Sequence, residues 1–210
     1  DVGLKPAVRL KRLRQLYPEV FASLYQGNPR VNVNSVFVEE PQFYSTLPND
    51  YFVSIGVDFA FTTNLNSDYT AVVIIAVEPE SNCYYLLDCR RWRSTISWTI
   101  EQLKRIYQKF QVPLNCEGGG AQKAIIDLLK QNNIAVREVV PKGSKLVRSI
   151  IFSDAWNSKR FFLPLTGQNE QLAEYIEEVR SFTGEGDVHD DFVDATVYAM
   201  MARTTTFEFY

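Results

Sequence analysis

The chain has 210 residues, is 46% hydrophobic and 13% aromatic, and carries a formal net charge of −3 with a pI near 5.3. This composition supports a packed core and excludes a disordered chain, and no apolar run approaches the ~20 residues of a membrane-spanning helix. The overall acidity argues mildly against a nucleic-acid partner, yet the basic residues cluster at 5–14, 90–93 and 142–148, and local patches matter more than the sum when the partner is a polyanion.

Read alone, each basic cluster is equally a solvated face. The start of the chain lacks the long apolar stretch of a signal peptide. It also begins without Met, which is expected of a piece of a longer protein. Cys83, Cys89 and Cys116 are odd in number and lack metal-type spacing, which fits a reducing cytoplasm.

Residues 1–50 read as a linker or arm. Leu10, Leu13, Leu16 and Tyr17 lie near helical spacing and predict an amphipathic helix over 7–25, with Pro18 kinking or restarting it. "QGNPRVNVN" reads as a turn and extended segment, and "LPND" at 47–50 is a further break.

The pattern becomes regular from 51. "YFVSIGVDF" is a β-branched, apolar strand bounded by turn residues. The polar stretch "FTTNLNSDY" follows, then a second, central-looking strand "TAVVIIAVE", the turn "EPESN" and a third strand, "CYYLLDC". This reads as an antiparallel meander. "SWTIEQLKRIYQKF" carries a helical stripe, with Ser97 as its expected cap. A fourth strand, "VPLNCE", a helix, "AQKAIIDLLKQNN", and a fifth strand, "IAVREVV", come next. Helices are expected over 145–159 and 169–182 with "RFFLPL" between them, and a last helix from Asp190 to Met201. Strands 3, 4 and 5, joined through helices, favour right-handed parallel crossovers. The expected fold is α/β, with a mixed five-stranded sheet, strands 1–3 antiparallel and 4–5 parallel, flanked by helices.

Acids fall where this topology builds a site. Asp58 ends strand 1, and a lone buried carboxylate there is costly unless it is paired or bound to a cation. Glu117 ends strand 4, ahead of a run of glycines. If the two strands are neighbours, both acids stand at the carboxyl edge of the sheet, where open α/β sheets place their sites. "HDDFVDA" supplies a third group: Asp191 and Asp194 are three apart, and Asp190 and Asp194 four apart, so each pair shares a helical face. Grouped carboxylates repel unless a divalent cation neutralises them. Their hard oxygens suit Mg²⁺ or Mn²⁺, and two such ions ~4 Å apart are a device for phosphodiester cleavage. Each acid also has a plain reading. Asp190 or Asp191 can cap the last helix, Glu117 can be an exposed loop acid, and Asp58 can be structural.

Taken together, "SIGVDFAFTTNLNSDYTAVVII", "NCEGGGAQKAIIDLLK", "VVPKGSKLVRS" and "GEGDVHDDFVDATVYAM" resemble, in order and over roughly residues 50–203, the C-terminal nuclease domain of the large terminase subunit of tailed bacteriophages, a branch of the RNase H-like superfamily. The resemblance implies a nuclease domain over 51–210, with 1–50 as the arm from an absent ATPase half. It implies a metal-dependent endonuclease that cuts concatemeric double-stranded viral DNA during packaging in the host cytoplasm, using two Mg²⁺ or Mn²⁺ ions and little sequence specificity. Asp58, Glu117 and Asp191 match the catalytic ligands, with Asp190 and Asp194 as further metal candidates. Asp68, like Asp194, matches an acid frequent in the family, as a ligand or a support; His189, the chain's one histidine, is a supporting candidate for which a structural turn role stands beside a catalytic one. Lys145 matches a basic residue near the site that would contact the scissile phosphate, and with Lys142 and Arg148 of the same basic cluster it is a DNA-binding candidate. In the full-length protein the implied partners are the ATPase domain, the portal protein and the small terminase subunit, with no membrane. "GGGAQK" at 118–123 lacks the spacing and the Ser/Thr of a phosphate-binding loop, so no ATP hydrolysis is expected here. The alternatives are another nuclease of this fold, of the Holliday-junction resolvase or ribonuclease H type, and a non-catalytic docking module whose acids are caps and turns.

Overall fold

The computed structural model describes residues 35–60, 69–120, 122–165, 169–187 and 189–201. Within them the chain forms β1 (Gln42–Tyr44), β2 (Phe52–Asp58), β3 (Thr70–Glu78), β4 (Cys83–Trp92), α1 (Ile96–Phe110), β5 (Leu114–Glu117), α2 (Gln122–Gln131), β6 (Val136–Val139), α3 (Lys145–Asn157), β7 (Phe161–Pro164), α4 (Leu172–Ser181) and α5 (Asp191–Met201). The strands make one sheet in the order β1-β7-β4-β3-β2-β5-β6. β2, β3 and β4 are an antiparallel meander, while β5 and β6 extend it in parallel from β2.

The central strand sets the layers. Successive strand side chains point to opposite faces. Ala71, Val73, Ile75 and Val77 of β3 therefore enter one core with α3, α4 and α5, and Val72 and Ile74 enter a second with α1 and α2. Both faces are covered, which is why "TAVVIIAVE" reads as an unbroken apolar run. Each large aliphatic side chain buried this way contributes about 1.5–3 kcal/mol.

The five expected strands are present with the expected directions, and two short ones join them at the far edge. "RFFLPL" supplies β7, parallel to both β4 and β1. A strand of 4 residues beside one of 3 is too short to display a period-2 pattern. The cap of α1 is Thr95, whose side chain accepts from the Trp98 amide, rather than Ser97, because the helix begins one residue before that serine.

Of the expected arm, residues 35–44 are built into the larger core. Phe37 is buried, its ring 4.7 Å from Phe152, 5.9 Å from Trp156 and 5.9 Å from Phe182. Asn157 accepts from the Val38 amide at 2.9 Å and donates to the Val36 carbonyl at 2.8 Å. The helix expected over 7–25 lies outside the described residues.

Candidate active site

The site is built by laying α5 on β2. Ile55 and Val57 of β2 face the α1/α2 core, so the alternate residues Ser54, Gly56 and Asp58 face α5. Ser54 donates its hydroxyl to the Ala199 carbonyl at 2.7 Å. At Gly56 the helix is so close that a Cβ would lie 1.9 Å from the Ala195 carbonyl oxygen and 2.5 Å from the Ala199 amide. Two strand residues advance ~6.6 Å and four helix residues ~6 Å, so the contacts keep step: Ala199 over Ser54, Ala195 beside Gly56, and the Asp191 turn next to Asp58.

The neighbouring strand adds the next acid. β5 runs parallel to β2 with Val57 opposite Cys116, so Asp58 and Glu117 follow side by side at the carboxyl edge. Asn115, which shares Glu117's face, locks the two strands by donating to the Ile55 carbonyl at 2.7 Å and to Ser54 Oγ at 3.3 Å. Glu117 Oε2 accepts the Tyr198 hydroxyl at 2.9 Å. Asp191 and Asp194, at the start of α5, are buried at 3% and 5% exposure, which makes their charges expensive without compensation.

Two cations from α3 answer that charge. Lys145 Nζ pairs with Asp190 and lies 3.7 Å from Asp194. Arg148 spans Glu117 at 3.5 Å and Asp194 at 3.6 Å. Ser144 caps this helix, accepting from the Val147 amide, and so fixes where the two cations begin.

The electrostatics show how tightly the acids converge. The Asp58 carboxyl is held well above its ordinary value of 3.8, first by burial and then by Asp194, Asp191 and Asp190, with Lys145 opposing. Burial pushes Asp194 up to about 6 against the pull of Arg148 and Lys145. Burial works to lower Lys145, but its hydrogen bond to Asp190 and the charges of Asp190, Asp194 and Asp58 hold it above 10.5. Tyr198 is pushed far up by burial and by Asp58, Asp194 and Glu117, so it remains a hydroxyl donor to Glu117.

Among the described residues, no three acidic, histidine or cysteine side chains already form a metal cage, and Lys145 and Arg148 supply the positive charge instead. The donor set nevertheless fits a hard divalent cation. It is made of carboxylate oxygens, it lies at one sheet edge, and Asp58 and Asp194 are raised first by burial and then by the charge of neighbouring acids.

The fold thus brings together Asp58, Glu117, Asp190, Asp191 and Asp194. His189 stands beside them, Nδ1 3.9 Å from Asp191 Oδ2 and its ring 5.4 Å from that of Tyr69. Lys145 and Arg148 sit among the acids, and Lys142 lies in the loop between β6 and α3. Asp68 lies outside the described residues.

Sequence reasoning missed Gly56, Tyr198 and Glu178. Gly56 was legible in principle, since "SIGVD" places a glycine two positions before the acid on the same face. Glu178 of α4 leaves no such signal. It is buried at 5% exposure, burial pushes its carboxyl up to about 8, and it accepts from the Phe192 amide at 2.7 Å and the Val193 amide at 3.1 Å.

Comparison with known proteins bears on the fold and the family. Curated proteins yield no match to the sequence. Among solved structures, the chain is similar to the nuclease domain of the P22 large terminase, with 18% identity over 83% of this chain and 94% of that one and a TM-score of 0.60. It is similar to the large terminase nuclease of thermophilic phage G20c with bound magnesium, at 18% identity, 80% and 97% coverage and a TM-score of 0.57. It also resembles the large terminase of another thermophilic bacteriophage, at 17% identity and a TM-score of 0.60, where 98% of this chain spans 54% of that one. At such identities the likeness shows the fold, an RNase H-like mixed sheet. The family model of the terminase RNaseH-like domain matches residues 55–203, which runs from within β2 through α5 and includes every candidate acid, and the chain belongs to that family.

Proposed function

We infer that this chain is the nuclease of a large terminase, an endonuclease that hydrolyses concatemeric double-stranded viral DNA during genome packaging with little sequence preference. The observation that carries this reading is the convergence of Asp58, Glu117, Asp191 and Asp194 on one sheet edge, brought there by β2, β5 and α5 and sharing one electrostatic field.

Asp58, Glu117 and Asp191 would hold a pair of Mg²⁺ or Mn²⁺ ions, with Asp190 and Asp194 adjoining. Such ions, when bound, supply Lewis acidity for the attacking water and the leaving oxygen of an in-line displacement. Structures of the similar G20c nuclease with zinc, cobalt and magnesium support a site for divalent ions. The reaction adds water across one P–O bond, leaving a phosphate monoester and a hydroxyl. The chain's own residues orient the groups around it. Tyr198 fixes one Glu117 oxygen. Lys145 and Arg148 neutralise the acids and, with DNA present, turn toward phosphate. Lys142 extends the basic rim. Asp68, just ahead of β3 in the sequence, and His189, before α5, would support the acids. Contacts of this kind read the backbone rather than the bases, so binding is salt-sensitive.

In the whole protein, residues 1–50 would lead from a preceding packaging ATPase. That motor, with the portal and small subunit, would hold the DNA for a chain whose net charge is −3, acting in the cytoplasm of the infected cell. No helix among the described residues is long and apolar enough to cross a membrane.

The test is cleavage of supercoiled plasmid, a four-way junction and an RNA–DNA hybrid in Mn²⁺, Mg²⁺ or EDTA. Metal-dependent cutting of plain duplex that Asp58→Ala and Asp191→Ala both lose is expected. Cutting confined to junctions or hybrids would overturn the assignment of substrate.

A further inference from the structure

The first turn of α5 is capped from outside itself. The Asp190 carbonyl accepts from the Asp194 amide at 2.9 Å, which makes Asp190 the residue before the first helical one. An aspartate there normally turns its own carboxylate back onto the amides two and three residues on. Those amides belong to Phe192 and Val193, and both donate to Glu178 Oε1 of α4 instead, at 2.7 and 3.1 Å. Asp190 is thereby directed to Lys145. Burying a carboxylate to do what a local aspartate could do at the surface is unfavourable by itself, which points to a requirement that the local carboxylate be used elsewhere.

Glu178 is itself anchored. Its Oε2 accepts from Arg91 Nη1 at 3.0 Å. Arg91 is tied to α4 again through Glu174, and to Gln171, which bonds the Arg91 amide and carbonyl at 2.6 and 3.1 Å. The Arg91 guanidinium also lies 4.9 Å from the ring of Phe192, the buried core residue that follows Asp191. A chain of fixed contacts therefore runs from the end of β4 through Glu178 to the backbone of α5.

We propose that Glu178, held by Arg91, is a positioning residue that takes over the capping of α5 and so aims Asp190, Asp191 and Asp194 at the site. Its consequence for metal rests on reading those acids as ligands; the capping itself does not.

Two measurements on the same chain separate these. In metal-free protein, hydrogen exchange at individual amides should show Phe192 and Val193 losing protection in Glu178→Ala while Ala199 keeps it, with Glu178→Gln restoring much of the loss because its carbonyl oxygen still accepts. Calorimetric titration with Mn²⁺ should show a fall of about 10–100-fold in affinity for Glu178→Ala, the range expected when a ligand's outer support is removed. The fall should be smaller for Glu178→Gln, and the control Glu174→Ala, which cuts only the exposed arm of Arg91, should stay within about twofold. Unchanged protection at Phe192 and Val193 would overturn the capping role. Lost protection with unchanged Mn²⁺ affinity would reduce Glu178 to a structural cap and overturn the positioning role. Absence of Mn²⁺ binding in the wild type would defeat the metal reading instead, and the exchange data would still decide the capping.

Discussion

Gly56 and Ala195 meet with no room for a methyl group: a Cβ on Gly56 would stand 1.9 Å from the Ala195 carbonyl oxygen. The obstacle is helix backbone, which cannot swing aside as a side chain can. Overpacking of this kind costs about 3 kcal/mol at the upper end of its usual range, a fall of roughly 6–12 °C in melting temperature for a domain of this size. Gly56→Ala should therefore melt early in scanning calorimetry. It should also lose most nuclease activity while folded, because α5 moves away from Asp58. An unchanged melting temperature would contradict the packing described.

The acids make a pH prediction whose sign is opposite to that of salt-bridged carboxylates. Asp194 is raised from 3.8 to about 6, mainly by burial, so the folded chain holds that proton more tightly than the unfolded one. The contribution is fully present below the unfolded value and is lost as pH rises through the folded one. In EDTA, wild type should lose roughly 2–3 kcal/mol relative to Asp194→Asn as pH rises from about 4 to 7. Thermal scans of the pair across that range measure it. A gap that stays constant with pH would show that Asp194 does not titrate as described.

Much of this site was legible because it follows from periods. The alternation in "SIGVD" and "LNCE" puts Asp58 and Glu117 on definite faces, and the three- and four-residue spacing in "HDDFVDA" gathers its acids on one side of a helix. The strands that escaped notice, β1 and β7, are too short to carry a period. The roles of Glu178 and Arg148 depend on how α4 and α3 dock, and no local spacing encodes that. Arg148 reads from sequence as a DNA contact, yet it sits between Glu117 and Asp194.

Tyr198 gives a gentler probe of the same geometry. Its hydroxyl donates to Glu117 at 2.9 Å. Tyr198→Phe removes one hydrogen bond and leaves the ring, so a stability change of about 1 kcal/mol is expected. Plasmid cleavage should fall by about tenfold or more, as for other outer partners of metal ligands. Equal rates for the variant and wild type would show that Glu117 needs no such support.

Lys145 is asked to serve the acids in the metal-free state and phosphate in the DNA complex. Lys145→Ala should weaken duplex binding and reduce the salt slope of log K by about 1, the loss of one phosphate contact. A binding titration at several salt concentrations checks this. An unchanged slope would confine Lys145 to its pairs with Asp190 and Asp194.

The central claim is that the converging acids are one divalent-metal site, and Asp58 tests it most directly. Its charge is crowded by burial and by three aspartates, so Asp58→Asn should melt higher than wild type in EDTA. With Mn²⁺ at about 100 times its dissociation constant, wild type should gain about 2.7 kcal/mol, or roughly 5–10 °C, and Asp58→Asn should gain almost nothing. Thermal scans of both proteins with and without Mn²⁺, alongside calorimetric titration, are the measurement to make. A metal-induced rise in wild type that vanishes in Asp58→Asn is the expected result; equal rises in both proteins, or none in wild type, would contradict the site.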